Sequence, residues 1–168
     1  LPISCIVLQH GFGRNSRFWY KWVPLLASHY KVLRLDMRGF GQSRDDFSAE
    51  RGFRLDDLVS DVVKVLDELK LDNVHYCGEA FGGTLGMQLA AQHPDRIRTL
   101  SLVSAPVILL KSLQKDYAAG EASWGDFIRK HGVRRWAEAL IALHLDPAHW
   151  SFGFDNAKTR AGQCNFTD

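Results

Sequence analysis

Cysteine is scarce in this 168-residue chain, and the three present, Cys5, Cys77 and Cys164, are odd in number and far apart. That argues against a disulfide framework. Cys5 and Cys77 fall inside apolar runs and read as small core hydrophobes of a protein in a reducing compartment, the cytoplasm. No apolar run approaches the ~20 residues that a bilayer span needs, so no membrane partner is expected. The seven histidines form no H-x-x-x-H or H-E-x-x-H pair, and neither a metal nor another cofactor is expected. There is no G-x-G-x-x-G after a strand and no G-x-x-x-x-G-K-[ST], so the usual nucleotide-binding loops are missing. Charge of one sign is also missing: 21 basic and 19 acidic residues are interspersed, for a net charge of +2. Without a basic stripe, nucleic acid is not an expected partner. No repeat or low-complexity linker occurs, and the chain opens on Leu1-Pro2 without an initiator methionine, which leaves room for a segment upstream.

What remains is ordinary globular composition, 46% hydrophobic and 24% charged, in a length that suits one domain with a real core. Ile3 to Gln9 is a mostly apolar strand that runs into His10-Gly11-Phe12-Gly13. A glycine-flanked turn after a parallel strand is where α/β sheets hold ligands. Phe18 to Ala27 places Trp19, Trp22 and Leu26 at helical spacing, with Pro24 expected to kink the run. We read these aromatics as a core face rather than a cofactor-stacking box. Tyr30 to Leu35 is the next strand; in the loop after it, Asp36 and Arg38 are candidates for a loop-fixing ion pair. Leu55 to Lys70 is the clearest helix, with Leu55, Leu58, Val59, Val62, Leu66 and Leu69 on one face and Asp56 and Asp57 at the start. Arg98 to Val103 makes a fourth strand. After Ser104-Ala105-Pro106 the pattern turns helical, with Trp124, Phe127 and Ile128 marking one amphipathic helix and Val133, Trp136, Leu140 and Ile141 another.

The centre of the chain is Asn73 to Gln92. Its apolar run breaks at Gly78, a glycine pair follows at Gly82 and Gly83, and helix formers continue to His93-Pro94. That is strand, tight turn, helix. The spacing of Gly78 and Gly82 matches the nucleophile elbow, in which a sharp turn exposes its central side chain above a parallel sheet. Here the central residue is Ala80, whose methyl has neither lone pair nor acidic proton. A shifted register presenting Glu79 would put Cys77 and Phe81 where small residues are required, so we reject it. The bland alternative is a plain strand-to-helix turn of some other α/β protein.

Alternating strands and helices imply right-handed crossovers and a three-layer parallel sheet. His10-Gly11-Phe12-Gly13, the loop Asp36 to Ser43, Gly78-Glu79-Ala80-Phe81-Gly82-Gly83 and His93-Pro94-Asp95-Arg96-Ile97 stand in one order. That ordered set resembles the α/β-hydrolase superfamily, in particular its 3-oxoadipate enol-lactonase and esterase branch. The resemblance covers Ile3 to about Pro106 closely. It implies a partial α/β-hydrolase core over residues 1–106 and a helical cap region over 107–168. It also implies a small ester or lactone as substrate or ligand. Carried over by position, Ala80 holds the nucleophile slot, the backbone N–H groups of Phe12 and Phe81 form the oxyanion hole, and His10, Gly11, Glu79, Trp124 and Trp136 line the pocket. Glu79 is expected to hydrogen-bond neighbouring loops rather than to catalyse.

The sequence departs from the resemblance where chemistry is concerned. Serine is replaced by Ala80, and the chain ends before the strands whose loops would supply an acid and a histidine. His10, His29, His75, His93, His131, His144 and His149 all lie elsewhere. Two strands expected ahead of Ile3 are absent as well, so the chain reads as an internal portion of a longer protein. The expected order places Ile3–Gln9 and Asn73–Cys77 side by side, flanked by Tyr30–Leu35 and Arg98–Val103. The function expected is that of an ester or lactone hydrolase relative that is itself inactive. The alternative is a degenerate member that binds a ligand or serves as a scaffold.

Overall fold

The computed structural model describes residues 3–43, 54–108 and 111–145. The chain divides into two compact units, Leu1–Val107 and Ile108–Asp168. In the first unit, β1 (Cys5–Gln9) leads to a 3-10 helix (Ser16–Trp22), the single turn α1 (Val23–Leu26) and β2 (Lys31–Leu35). Then come α2 (Leu55–Glu68), β3 (Val74–Glu79), α3 (Phe81–Gln92) and β4 (Ile97–Val103). The sheet has the order β2-β1-β3-β4, with every pair parallel. The two strands followed by glycine turns are thus the central neighbours, as the glycine motifs required.

Alternation along each strand decides which residues meet the helices. Cys5 and Val7 of β1, Val74 and Tyr76 of β3, and Leu58, Val59, Val62, Leu66, Leu85 and Leu89 of α2 and α3 form one buried cluster. Arg34 points to the opposite face and donates to the carbonyl of Ser16, which sets the 3-10 helix on that side. The result is helices on both faces of a parallel sheet. Arg96, from the His-Pro-Asp-Arg motif, donates to the carbonyls of Leu71 and Asp72 and pairs with Asp67. It thereby fastens the start of β4 to the α2–β3 turn.

The structure corrects several expectations. Trp19, Trp22 and Leu26 do not share one buried face: Trp19 is 1% exposed, Trp22 is 47% exposed, and their rings meet only edge-on at 5.7 Å. Pro24, which has no amide to donate, falls in the first turn of α1, so the helix changes type there and its face is interrupted. Helix α2 stops at Glu68, and Lys70, read as helical, has a positive φ of 54°. The amide of Leu71 reaches back to the carbonyl of Leu66, closing the helix end with the left-handed residue that such a motif needs. Strand β3 does not break at Gly78 but continues through Glu79.

In the second unit, α4 (Lys111–Ala118) precedes α5 (Trp124–Leu145), which is interrupted at Gly132 (φ 85°, ψ 159°) into the two stretches the spacing suggested. Val133, taken as a core position, is exposed. Tyr117 stacks on Trp124, Trp136 meets both edge-on, and the Trp136 indole N–H donates to the Tyr117 carbonyl at 2.8 Å. Cys164 and His149 lie outside the described residues.

A methyl group at Gly82 would stand 2.5 Å from the backbone oxygens of both Gln9 and His10. Backbone cannot give way as a flexible side chain does, so Gly82→Ala is expected to destabilise the fold by about 1–3 kcal/mol. Urea unfolding of the two proteins measures it.

Candidate functional site

The elbow is built where β3 ends and α3 begins. Ala80 has φ 49° and ψ −119°, a conformation that costs a residue with a Cβ about 1–3 kcal/mol. Its amide donates to the carbonyl of Val103 at 2.9 Å, and its own carbonyl accepts from Gly83 and Thr84. The turn is therefore made by Ala80 itself. The glycines serve close approach: a methyl at Gly78 would meet the Gly82 carbonyl and the Gly83 amide, and one at Gly83 would meet the Ala105 methyl. The buried Tyr76 hydroxyl donates to the Gly82 carbonyl at 3.0 Å, which satisfies that buried polar group.

The loop after β1 lies directly against this turn. A methyl on Gly11 would stand 2.9 Å from the Ala80 methyl, so Gly11 and Ala80 touch for want of a side chain. Phe12 follows Gly11 and Phe81 follows Ala80, which brings both residues expected to supply backbone N–H groups to the same corner. Phe81 is the first residue of α3, where helix amides have no partner within the helix. The Phe12 ring packs edge-on against Phe40 from the loop after β2, at 5.5 Å.

His10 is fully buried, and both ring nitrogens bond the backbone. The Met37 amide donates to Nε2 at 3.1 Å, which makes Nδ1 the protonated nitrogen, donating to the Gly11 carbonyl at 2.8 Å. Burial pushes its pKa below the ordinary value, outweighing the Gly11 hydrogen bond and the Asp36 charge, which act the other way. His10 thus stands under the loop as a neutral brace joining it to the segment after β2. Glu79 is largely buried. Its Oε2 accepts from the Gly11 amide at 3.0 Å and its Oε1 faces Arg14 at 3.4 Å. Burial raises its pKa, against the lowering influence of Arg14 and the Gly11 amide.

Asp36 and Arg38 do not pair with each other. Asp36 accepts from the amides of Ser16 and Gln42, whereas Arg38 forks onto Asp61 of α2. Burial alone would raise Asp36, but these amide hydrogen bonds bring its carboxyl below the ordinary value. A carboxylate at a strand end can satisfy turn amides that an arginine cannot, and that competition decided the pairing. Trp124 and Trp136 lie in the second unit, packed with Tyr117 as described. Arg14 and Ser16 had no signal in the sequence, because their partners Glu79 and Asp36 are distant in the chain. A cavity of about 740 Å³ opens between β2, the loop after it and α2, and Ala80, Glu79, Phe12 and Phe81 are not among its lining residues.

The family model for the alpha/beta hydrolase fold matches residues 5–159. The chain belongs to the α/β-hydrolase family. Among curated α/β-hydrolase relatives, a Yersinia enterocolitica protein with the provisional name carbamate hydrolase RutD is 28% identical over 145 residues, 86% of this chain and 50% of its own length. The pimeloyl-[acyl-carrier protein] methyl ester esterase of Aeromonas hydrophila is 36% identical over 107 residues, 63% of this chain and 40% of its own. Among solved structures, the enol-lactonase from Burkholderia xenovorans LB400 superposes with a TM-score of 0.72 at 28% identity, covering 84% of this chain and 51% of that one. The chain spans about half the length of the first of these curated relatives. Within the described residues, no helix of this α/β-hydrolase chain is long and apolar enough to cross a membrane.

Two outcomes are expected from the elbow and its brace. Ala80→Gly relieves the positive φ and should stabilise the protein by about 1 kcal/mol in urea unfolding, glycine's extra chain entropy offsetting part of the gain. The depressed pKa of His10 means that the unfolded chain binds its proton first. Its contribution is present above pH ~6.5 and is lost as pH falls through the lower folded value. Stability curves between pH 7.5 and 5 should therefore fall more steeply for the unaltered protein than for His10→Asn.

Proposed function

We propose that this chain carries the nucleophile elbow and oxyanion side of a carboxylic ester or lactone hydrolase, with the attacking residue's position held by Ala80. The observation that carries the reading is the backbone of Ala80, φ 49° and ψ −119° at the junction of β3 and α3. An alanine gains nothing from that conformation, whereas a serine there would present its hydroxyl above the sheet. The names of two of the relatives, an enol-lactonase and a methyl ester esterase, point to the same substrate class, while the third is named for a carbamate.

In this reading the developing oxyanion of an attacked carbonyl lies between the backbone N–H groups of Phe12 and Phe81. Gly11 and Glu79 border that corner, and His10 keeps the loop in place beneath it. Residues 107–168 take the role of a cap region in this reading, although Trp136, expected to line the pocket, is buried within its own unit against Tyr117 and Trp124. Without a hydroxyl at position 80 no acyl-enzyme can form, and removing the nucleophile of a triad lowers turnover by about 10⁶. In this reading the chain as it stands does not turn over, and the substrate class of the corner is a small ester or lactone.

The test is Ala80→Ser in a reading frame that includes an acid and a histidine able to complete a triad. Fluorophosphonate labelling at position 80 and turnover of p-nitrophenyl acetate or small lactones are expected for the serine form and not for the alanine form. Failure of both in a folded protein with its triad complete would overturn the hydrolase reading in favour of a binding protein.

A further inference from the structure

The loop after β1 is fastened from both sides by acids at the ends of the strands that flank β1. Asp36, immediately after β2, accepts from the Ser16 amide, and Glu79, the last residue of β3, accepts from the Gly11 amide at 3.0 Å. The two fastenings differ in where they act. Asp36 holds the far end of the loop, whereas Glu79 reaches the residue that touches Ala80. Its second oxygen faces Arg14, whose guanidinium lies 4.2 Å from the Phe18 ring centroid, so one carboxylate grips the loop at two points. Gly11 is also the residue that makes the grip possible, because a methyl there would stand 2.5 Å from Glu79 Oε2.

We propose that Glu79 is a positioning residue: by holding the Gly11 amide and Arg14 together, it fixes the peptide of Phe12 at the reacting corner. The inference rests on the oxyanion reading for its functional meaning but not for its geometry. A loop of glycines has many conformations to lose, and donors that are not already aimed contribute little to stabilising a charge that forms only briefly. Glu79 fixes that loop to the same strand that carries the elbow, so donor and nucleophile slot move as one body. The carboxylate touches no reacting atom and needs no proton transfer.

Three measurements test it. In the unaltered protein the Gly11 amide resonance should titrate with the Glu79 carboxyl that accepts from it; an amide that does not titrate overturns the proposal. In Glu79→Ala, exchange of the Gly11 and Phe12 amides should accelerate about tenfold or more, as expected for losing a charged acceptor, while Leu85 and Val62 hold. Glu79→Gln keeps a neutral acceptor and should stay within about threefold of the unaltered protein. Equal exchange in all three, or Gln as fast as Ala, would refute it, and if the Ala variant does not fold, the titration and the Gln variant decide.

In the Ala80→Ser frame with a complete triad, Glu79→Ala should lower kcat about tenfold or more with KM little changed. An unchanged kcat there overturns the positioning role. If Ala80→Ser itself is inert, the hydrolase reading fails, and the exchange and titration results still decide whether Glu79 holds the loop.

Discussion

The start of α3 is pressed so closely onto β1 and β3 that no side chain fits between them, and the rest of the site follows from this. Gly82 lies against the carbonyls of Gln9 and His10, Gly78 lies against Gly82, and Gly11 lies against Ala80. A helix that enters at such short range has to leave the strand in a single residue, which is why Ala80 carries the positive φ. It also brings the loop after β1 within reach of Glu79. Remove the close approach, and the acid at the end of β3 and the brace of His10 lose their common corner.

Much of this was legible in the residues. Parallel order could be read from the requirement that the glycine turns after β1 and β3 converge, and the helical repeat of Leu58, Val59, Val62 and Leu66 identified α2 because a single apolar face dominates it. Glu79 was expected to bond neighbouring loops, and it does. The errors share a cause. Asp36 and Arg38 are close in sequence, so an ion pair looked natural, but Arg38 found Asp61 on a helix and Asp36 found amides whose position only the fold supplies. The exposure of Trp22 and Val133 was likewise hidden, because the face a spacing implies holds only while the helix remains of one type. Pro24 and Gly132 end that condition.

The electrostatics of the corner are set by burial more than by charge pairing. His10 and Glu79 are both pushed toward their neutral forms by loss of water, and each is partly held back by hydrogen bonds. For His10 both nitrogens are engaged by backbone, so the ring is structural and unavailable as a general base. Glu79 has two distinct partners, one neutral and one charged, which lets a single side chain fix both the position and the direction of a loop.

The backbone of Ala80 separates shape from reactivity in a way that has a genetic reading. Gly78, Gly82 and Gly83 are enforced by contacts with main chain or with a neighbouring methyl, and Gly11 by the Glu79 carboxylate and the Ala80 methyl, so replacing any of them disturbs the fold before it alters chemistry. Position 80 already carries a methyl, which lies against Gly11, and its own constraint is the positive φ rather than a want of room for any side chain. Alanine and serine codons of the GCN and TCN series differ by one base in the first position. The hydroxyl can therefore be gained or lost in one mutational step, within a corner whose glycines hold their shape for reasons of packing.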